Sequence, residues 1–359
     1  MRRGQIEHPR PSRGSSASKA WWMMKILCLT NIYPSAREPS SGSFVRDLVE
    51  DLRELGLDVH VLAFSGRERR RAYAEAGLAF RRTIRAGNFD LVHAHYGLTG
   101  VLAVAQRRVP VVVTFHGSDT GNSRVRWQAW FSWVAARLST PIFVSRDGAL
   151  RLGCTNAAVI PAGVDIDLFQ PRPRTEARSA LGWPAKGRYI LLPGARSNPD
   201  KGADLFDATI DEVRKHVPHV TSVSLEGFSR EQVADVMNAV DVTLVTSDFE
   251  GSPVAVKESL ACGTPVVAVP VGDLPQLLSK LPGCAIVLRD SVALADAIIG
   301  AFSSGRDPML RERAERLSRR RVAKRTIALY ESVLGDLSNS AVANDSEGVD
   351  SSSEDGTSQ

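Results

Sequence analysis

Glu250 and Glu258 sit in a segment, SDFEGSPVAVKESLACGTPVV, whose residue types suit the capture of an anion beside hydroxyl groups. A strand is expected to end at Thr246 and a tight loop to lead into a helix, with Ser252 as N-cap and Pro253 as the first helical residue. Backbone N–H groups at a helix start form a ready anion site. Pro253 has no N–H, so Val254 and Ala255 carry that contact. Glu250, followed by Gly251 at the loop, and Glu258 on the second helical turn can accept hydrogen bonds from sugar or ribose hydroxyls. Without further context the same residues make an ordinary capped helix with surface acids.

Other loops add to the set. Arg196 and Lys201 lie in GARSNPDKG, after the apolar run YILLP, and are expected to converge on a diphosphate. A planar guanidinium fork and a mobile ammonium both neutralise phosphate charge. In TFHGSD an apolar strand delivers His116 into a cleft, and Gly117 permits close backbone approach. Ser41, Gly42 and Ser43 form a small-residue loop before the first helix, offering backbone donors to a phosphate or an acceptor. His93 and His95 are expected to face opposite sides of their strand, with His95, followed by Tyr96, on the acceptor side. Asp165-Ile166-Asp167 has the spacing of a metal and nucleotide site, but within PAGVDIDLFQP it reads as structural. No other cluster has metal-ligand spacing, so no metal is expected.

The elements that position these loops are legible as an alternation of apolar runs and helical periods from Lys25 onward. KILCLTN, DVHVLAF, DLVHAHY, PVVVTFHG and TPIFVS read as buried strands separated by helices. PRPRTEARSALGWPAKG interrupts the pattern as a linker with a short helix, and YILLPGA, VTSVSLEG, DVTLVTS, TPVVAVP and CAIVL resume it. Such alternation predicts α/β architecture: two Rossmann-like domains, each a parallel sheet covered by helices. Ligands of such sheets bind beyond the carboxyl ends of the strands, where all of the loops above fall. A cleft between two facing domains is the expected site.

The 359 residues suit two domains, and 43% of them are apolar. No apolar run is long enough to span a bilayer, and residues 1–22 lack the apolar core of a secretory signal. Residues 1–22 and 337–359 read as disordered tails. Four scattered cysteines fit a reduced cytosol, so a cytoplasmic protein is expected. The net charge of +5 suggests anionic partners. Arg67, Arg69, Arg70, Arg71, Arg81, Arg82 and Arg85 crowd one segment among Tyr73, Leu78, Phe80 and Ile84. That segment is either a solvated basic helix or a surface that docks on the inner face of an anionic membrane. Nucleic-acid binding is the poorest reading, since no known module is present.

The spacing of Glu250 and Glu258, with seven residues between them and ACGTPVV after them, resembles the signature of family 4 retaining glycosyltransferases. The G-S-F loop, HAHYG, FHGSD, PAGVD and GAR with KG follow in the family's order from Lys25 to Leu334. MNAVDVTLVTSDFEGSPVAVKESLACG is most similar to members that build cell-surface polysaccharides. The resemblance implies the two-domain GT-B fold. Residues 23–168 would be an acceptor domain, residues 169–316 a donor domain, and residues 317–336 a helix crossing back to the first domain. It implies a nucleotide diphosphate sugar as co-substrate, no cofactor, and transfer with retention to a glycan or lipid-linked acceptor. Arg196 and Lys201 would hold the pyrophosphate, His116 would assist at the donor sugar, Glu250 would bind sugar hydroxyls and Glu258 the ribose. Base recognition would fall near Gly227 and Phe228. The stretch between Lys201 and Glu226 is shorter than in many relatives, as if one strand–helix unit were trimmed. A nucleotide-sugar epimerase and a non-catalytic nucleotide-sugar binding protein are the competing readings. A phosphate-dependent oxidoreductase is disfavoured, because no G-x-G-x-x-G follows the first strand.

Overall fold

A computed structural model describes residues 24–35, 41–65, 70–121 and 126–347, without the side chains of 70–71, 121–127 and 336–347. The expected tail 1–22, residues 348–359, and Arg67 and Arg69 lie outside the described residues.

Strands β1 (Lys25–Thr30), β2 (Asp58–Ala63), β3 (Leu91–His95), β4 (Val111–Phe115), β5 (Thr140–Phe143) and β6 (Ala158–Val159) form one sheet in the order β2-β1-β3-β4-β5-β6. Strands β7 (Arg188–Leu192), β8 (Val220–Ser224), β9 (Val242–Val245), β10 (Val266–Ala268) and β11 (Ala285–Ile286) form a second sheet, β11-β10-β9-β7-β8. All pairings in both sheets are parallel. Every residue of β3 and β4 is buried, as expected for central strands covered by helices on both faces. The register sets Thr30 beside His95 and His95 beside Thr114. The carboxyl ends of β1, β3 and β4 therefore open at one level, and the candidate loops leave from there.

Each face of the first sheet has its own core. On one face Val45, Val49 and Leu52 of the helix Ser43–Glu54 pack with Ala323, Ile327 and Tyr330 of the last helix. On the other, Phe80, Ile84, Ala103, Ala135 and Ala136 bring down the helices Arg70–Ala86, Gly97–Val104 and Arg126–Arg137. The second sheet is likewise sandwiched, with Phe206, Ile210 and Ile298 on one side and Val256, Leu260 and Leu310 on the other.

The last helix, Arg319–Glu347, begins where the chain crosses between the domains. Val164 N–H donates to Leu317 O and Arg319 N–H donates to Val164 O, both at 3.0 Å. A side chain on Gly163 would come within 2.8 Å of Arg319 Cα. The Arg319 guanidinium bonds Asp51 at 2.9–3.2 Å and stands 3.6 Å from Asp165. Asp165 Oδ1 also accepts from the N–H groups of Asp167 and Leu168 at 3.1 and 3.0 Å. Asp165 is thus engaged in turning the chain and clamping the crossing helix. The helix runs on to Glu347, past the expected start of a tail at residue 337. Residues 336–347 contain neither proline nor glycine, so nothing local terminates it. Among the described residues no helix is long and apolar enough to cross a membrane.

Arg319→Ala removes a charge-assisted pair and leaves the buried Asp51 carboxylate without its partner. A loss of about 1.5–3 kcal/mol is expected in denaturant unfolding of the N-terminal domain. A variant within about 0.5 kcal/mol of wild type would show that the clamp contributes nothing.

Candidate active site

The loops of the second sheet that carry the candidate residues grow from the ends of β7 and β9. After β7 the chain makes a 3-10 turn, Pro199–Lys201, capped by the Asn198 side chain, and then passes through Gly202 at φ +64°. Only glycine fits there, because a Cβ would stand 2.2 Å from Thr246 O at the end of β9. Lys201 lies along Gly194, and its ammonium donates to Glu250 Oε1 at 2.7 Å. Ser247 Oγ donates to the same oxygen at 2.8 Å. Arg289 steadies this loop from behind, bonding the Thr246 and Ser247 carbonyls at 3.0 and 2.9 Å.

The helix that follows, Val254–Ala261, starts one residue later than expected. Pro253 is its N-cap, and Ser252 does not cap it. The Ser252 hydroxyl is taken by Asp273, to which it donates, and by Lys257, whose ammonium donates to it. A lysine with no exposed side chain must find oxygen partners nearby, and Ser252 and Asp273 supply them. The first N–H groups of the helix receive no side-chain cap. Glu258 is buried, with Arg230 donating to it from above. Burial pushes the Glu258 carboxyl up, against the pull of Arg230. Arg230 also covers the Phe169 ring at 4.6 Å.

Arg196 and Lys201 do not converge here. Arg196 turns outward to Asp207, while Lys201 points inward to Glu250. Gly227 has open space about its Cα at φ +82°, and Phe228 packs edge-on to Trp183 at 6.4 Å.

On the N-terminal side, His116 is held among Phe44 and Tyr96, each ring 4.7 Å away. Gly42, at φ +70°, brings the Ser41–Ser43 loop against the Ile32 carbonyl and so places Phe44. His95 Nδ1 meets His116 Nε2 at 3.0 Å. His93 and His95 share a face of β3, with rings 4.3 Å apart, contrary to the expectation that they face opposite ways. Residues two apart on a strand lie on the same side of the pleat. His95 therefore backs His116 from within the core. Tyr330 of the crossing helix bonds His93 Nδ1 at 2.6 Å, and Thr114 Oγ1 stands 2.7 Å from its Nε2.

Asp119, to which sequence reasoning gave no role, ties the two loops together. Its carboxylate accepts from the N–H groups of Gly97, His116 and Gly117, each at 3.0 Å. The sequence signal was its place at the end of FHGSD. Tyr96, Ser118 and Asp119 border a cavity of about 340 Å³ with Asn31, Gln128 and Ser132.

The two sides meet backbone to backbone. A Cβ on Gly251 would lie 2.2 Å from His116 O, and one on Gly117 would lie 2.6 Å from Gly251 Cα. A third glycine, Gly272 at φ +56°, lets Asp273 N–H reach Gly251 O at 3.1 Å.

Two parallel α/β domains with loops meeting at their strand ends form the GT-B architecture. Residues 41–168 match the profile of Glycosyltransferase Family 4, and residues 189–304 that of glycosyl transferases group 1. The chain belongs to the family 4 glycosyltransferases. A Bacillus subtilis glycosyltransferase named for teichuronic acid biosynthesis, TuaC, is 27% identical over 77% of this chain and 88% of its own. The MMP alpha-(1->4)-mannosyltransferase of Mycolicibacterium hassiacum is 28% identical over 70% of this chain and 72% of its own. Among solved structures, Anabaena HepE in complex with UDP-glucose shares the fold at TM-score 0.60 and 18% identity, covering 88% of this chain and 100% of that one.

Burial pushes His93 and His116 down to about 3, and His95 well below its ordinary 6.5. The unfolded chain then binds more protons than the folded one below pH 6.5, so these histidines cost stability as pH falls from 6.5 toward 3. Asp119 runs the other way: burial raises its carboxyl from 3.8 to about 6, favouring the fold when protonated. Three histidines outweigh one carboxyl, so the N-terminal domain should lose stability on acidification from about pH 7 to about pH 5. His93→Gln should reduce that loss by about 2 kcal/mol over those two pH units, since one proton contributes at most about 1.4 kcal/mol per unit. Equal slopes in urea unfolding of the two proteins would contradict the buried neutral histidine.

Proposed function

We propose that this glycosyltransferase moves a sugar from a nucleotide diphosphate sugar to a hydroxyl of a glycan or lipid-linked glycan, retaining the anomeric configuration and requiring no metal. The observation that carries the proposal is the Lys201–Glu250 pair beside the uncapped start of Val254–Ala261, opposite His116. Lys201 and the N–H groups of Val254 and Ala255 would receive the diphosphate. Once Lys201 moves to phosphate, Glu250 is released to accept from sugar hydroxyls. Arg196 joins by leaving Asp207, an exchange of one exposed ion pair for another that costs little. Glu258 would meet the ribose alongside Arg230, with the base near Gly227 and Phe228. The HepE structures with UDP and UDP-glucose support a nucleotide sugar for this fold.

In the transfer the bond from the anomeric carbon to the diphosphate oxygen breaks and a bond to the acceptor oxygen forms on the same face. The acceptor proton passes to the departing phosphate. Lys201, Arg196 and the helix start stabilise the charge that develops there. His116 positions the sugar, and its burial keeps it neutral. The cavity at Tyr96 and Ser118 is the acceptor's place.

A thermal-shift series with UDP, GDP and ADP, with and without EDTA, tests the donor site. One nucleotide should stabilise the protein equally in both conditions, and Arg196→Ala/Lys201→Ala should abolish the shift. The anomeric NMR signal of the product should match that of the donor. No shift with any nucleotide, a shift that EDTA removes, or an inverted product would each overturn the corresponding part of the proposal.

A further inference from the structure

The helices Arg70–Ala86, Gly97–Val104 and Arg126–Arg137 cover the same face of the first sheet. Their outer side carries four of the eight most exposed large apolar side chains among the described residues: Leu78, Trp130, Trp133 and Leu138. Trp130 and Trp133 are 59% and 44% exposed, which is unusual for side chains of such apolar area. Positions 130, 133 and 137 follow the helical repeat, so both indoles and Arg137 share one side of their helix. The Arg137 guanidinium lies 5.2 Å from the Trp133 ring. Leu138 borders a hollow with Arg107 and Arg108, and Gln106 links that hollow to a second one lined by Leu78 and Arg81. The apolar groups are therefore interleaved with cations over one continuous surface.

The charge on this surface is almost all positive. Among the residues whose side chains are described, segments 72–86, 97–111 and 128–139 hold six arginines and a single acid, Glu75. Trp and Arg are enriched at protein–protein interfaces too, but charged residues are depleted at the core of such interfaces. Exposed indoles set among arginines match instead the boundary of an anionic bilayer, where indoles sit at headgroup depth and guanidinium groups reach phosphates. The same helix turns Gln128 and Ser132 inward to the acceptor cavity, and Tyr73 borders both that cavity and the hollow beside Leu78. An acceptor headgroup in the cavity would thus have its lipid anchor directed along this face.

We propose that the face bearing Trp130, Trp133 and Leu138 docks the enzyme on an anionic lipid surface, with the two indoles as anchors. The inference rests on the reading of a lipid-linked acceptor, and its test is independent of turnover. Sedimentation with vesicles of phosphatidylcholine, alone or mixed with phosphatidylglycerol, measures the docking. The full chain should pellet with the anionic vesicles only, and brominated lipid should quench its tryptophan emission. Trp130→Ser/Trp133→Ser should weaken pelleting by at least about tenfold and abolish the quenching. The nucleotide thermal shift, measured on both proteins, reports the fold and the donor site separately. Vesicle binding without any nucleotide shift would leave the docking face standing and defeat the transferase site. A wild type that stays in the supernatant, or a double variant that pellets as well as wild type, would overturn the proposal. So would a wild-type dimer that the double variant dissociates in the absence of vesicle binding, since a second copy would then cover the face.

Discussion

Gly117 and Gly251 touch across the interdomain cleft, and the site's geometry depends on that contact. Neither position has room for a Cβ, so only glycines let the His116 carbonyl and the Gly251 backbone pack this closely. The contact brings the His116 loop of one sheet to the Glu250 loop of the other. Everything nearby serves to aim these two loops. Asp119 gathers three N–H groups on one side, and Gly272 with Asp273 holds the Gly251 carbonyl on the other. The crossing helix fixes the domains further back, through Arg319 and Asp51 and through Tyr330 and His93.

Charge is arranged around this contact with the same economy. Lys201 and Lys257 flank the Glu250 loop, and each is matched to a carboxylate, Glu250 and Asp273 respectively. The two pairs differ in kind. Lys257 has no exposure and serves the fold by holding Ser252. Lys201 keeps 20% of its side chain open and can exchange its partner for a ligand. The uncapped helix start beside them adds positive potential without adding a side chain.

Much of this was legible in the sequence because the motifs sit at strand ends, where period and punctuation agree. The alternation of apolar runs and helices gave both sheets and the linker before Arg188. Lys201 and Glu250 emerged from their loop chemistry, and the structure joins them directly. Other features depend on the third dimension. The partner of Arg196 is eleven residues on, across a loop and a turn of helix. Arg230 over Glu258 and Tyr330 over His93 are contacts between elements distant in the chain, and no local pattern announces them. Ser252 looked like a cap because serine before Pro-Val usually is one, but the buried ammonium of Lys257 outbid the helix for its hydroxyl. His93 and His95, expected on opposite sides of their strand, share one side because residues two apart point the same way, and their neighbouring rings show it.

The central claim is that a nucleotide diphosphate sugar is held where the His116 and Glu250 loops meet. Amide hydrogen exchange with and without the stabilising nucleoside diphosphate tests it directly. The account predicts protection concentrated in residues 194–202 and 250–257, with a smaller gain in residues 116–119 as the domains close. Protection confined to other segments, or none at saturating nucleotide, would contradict it.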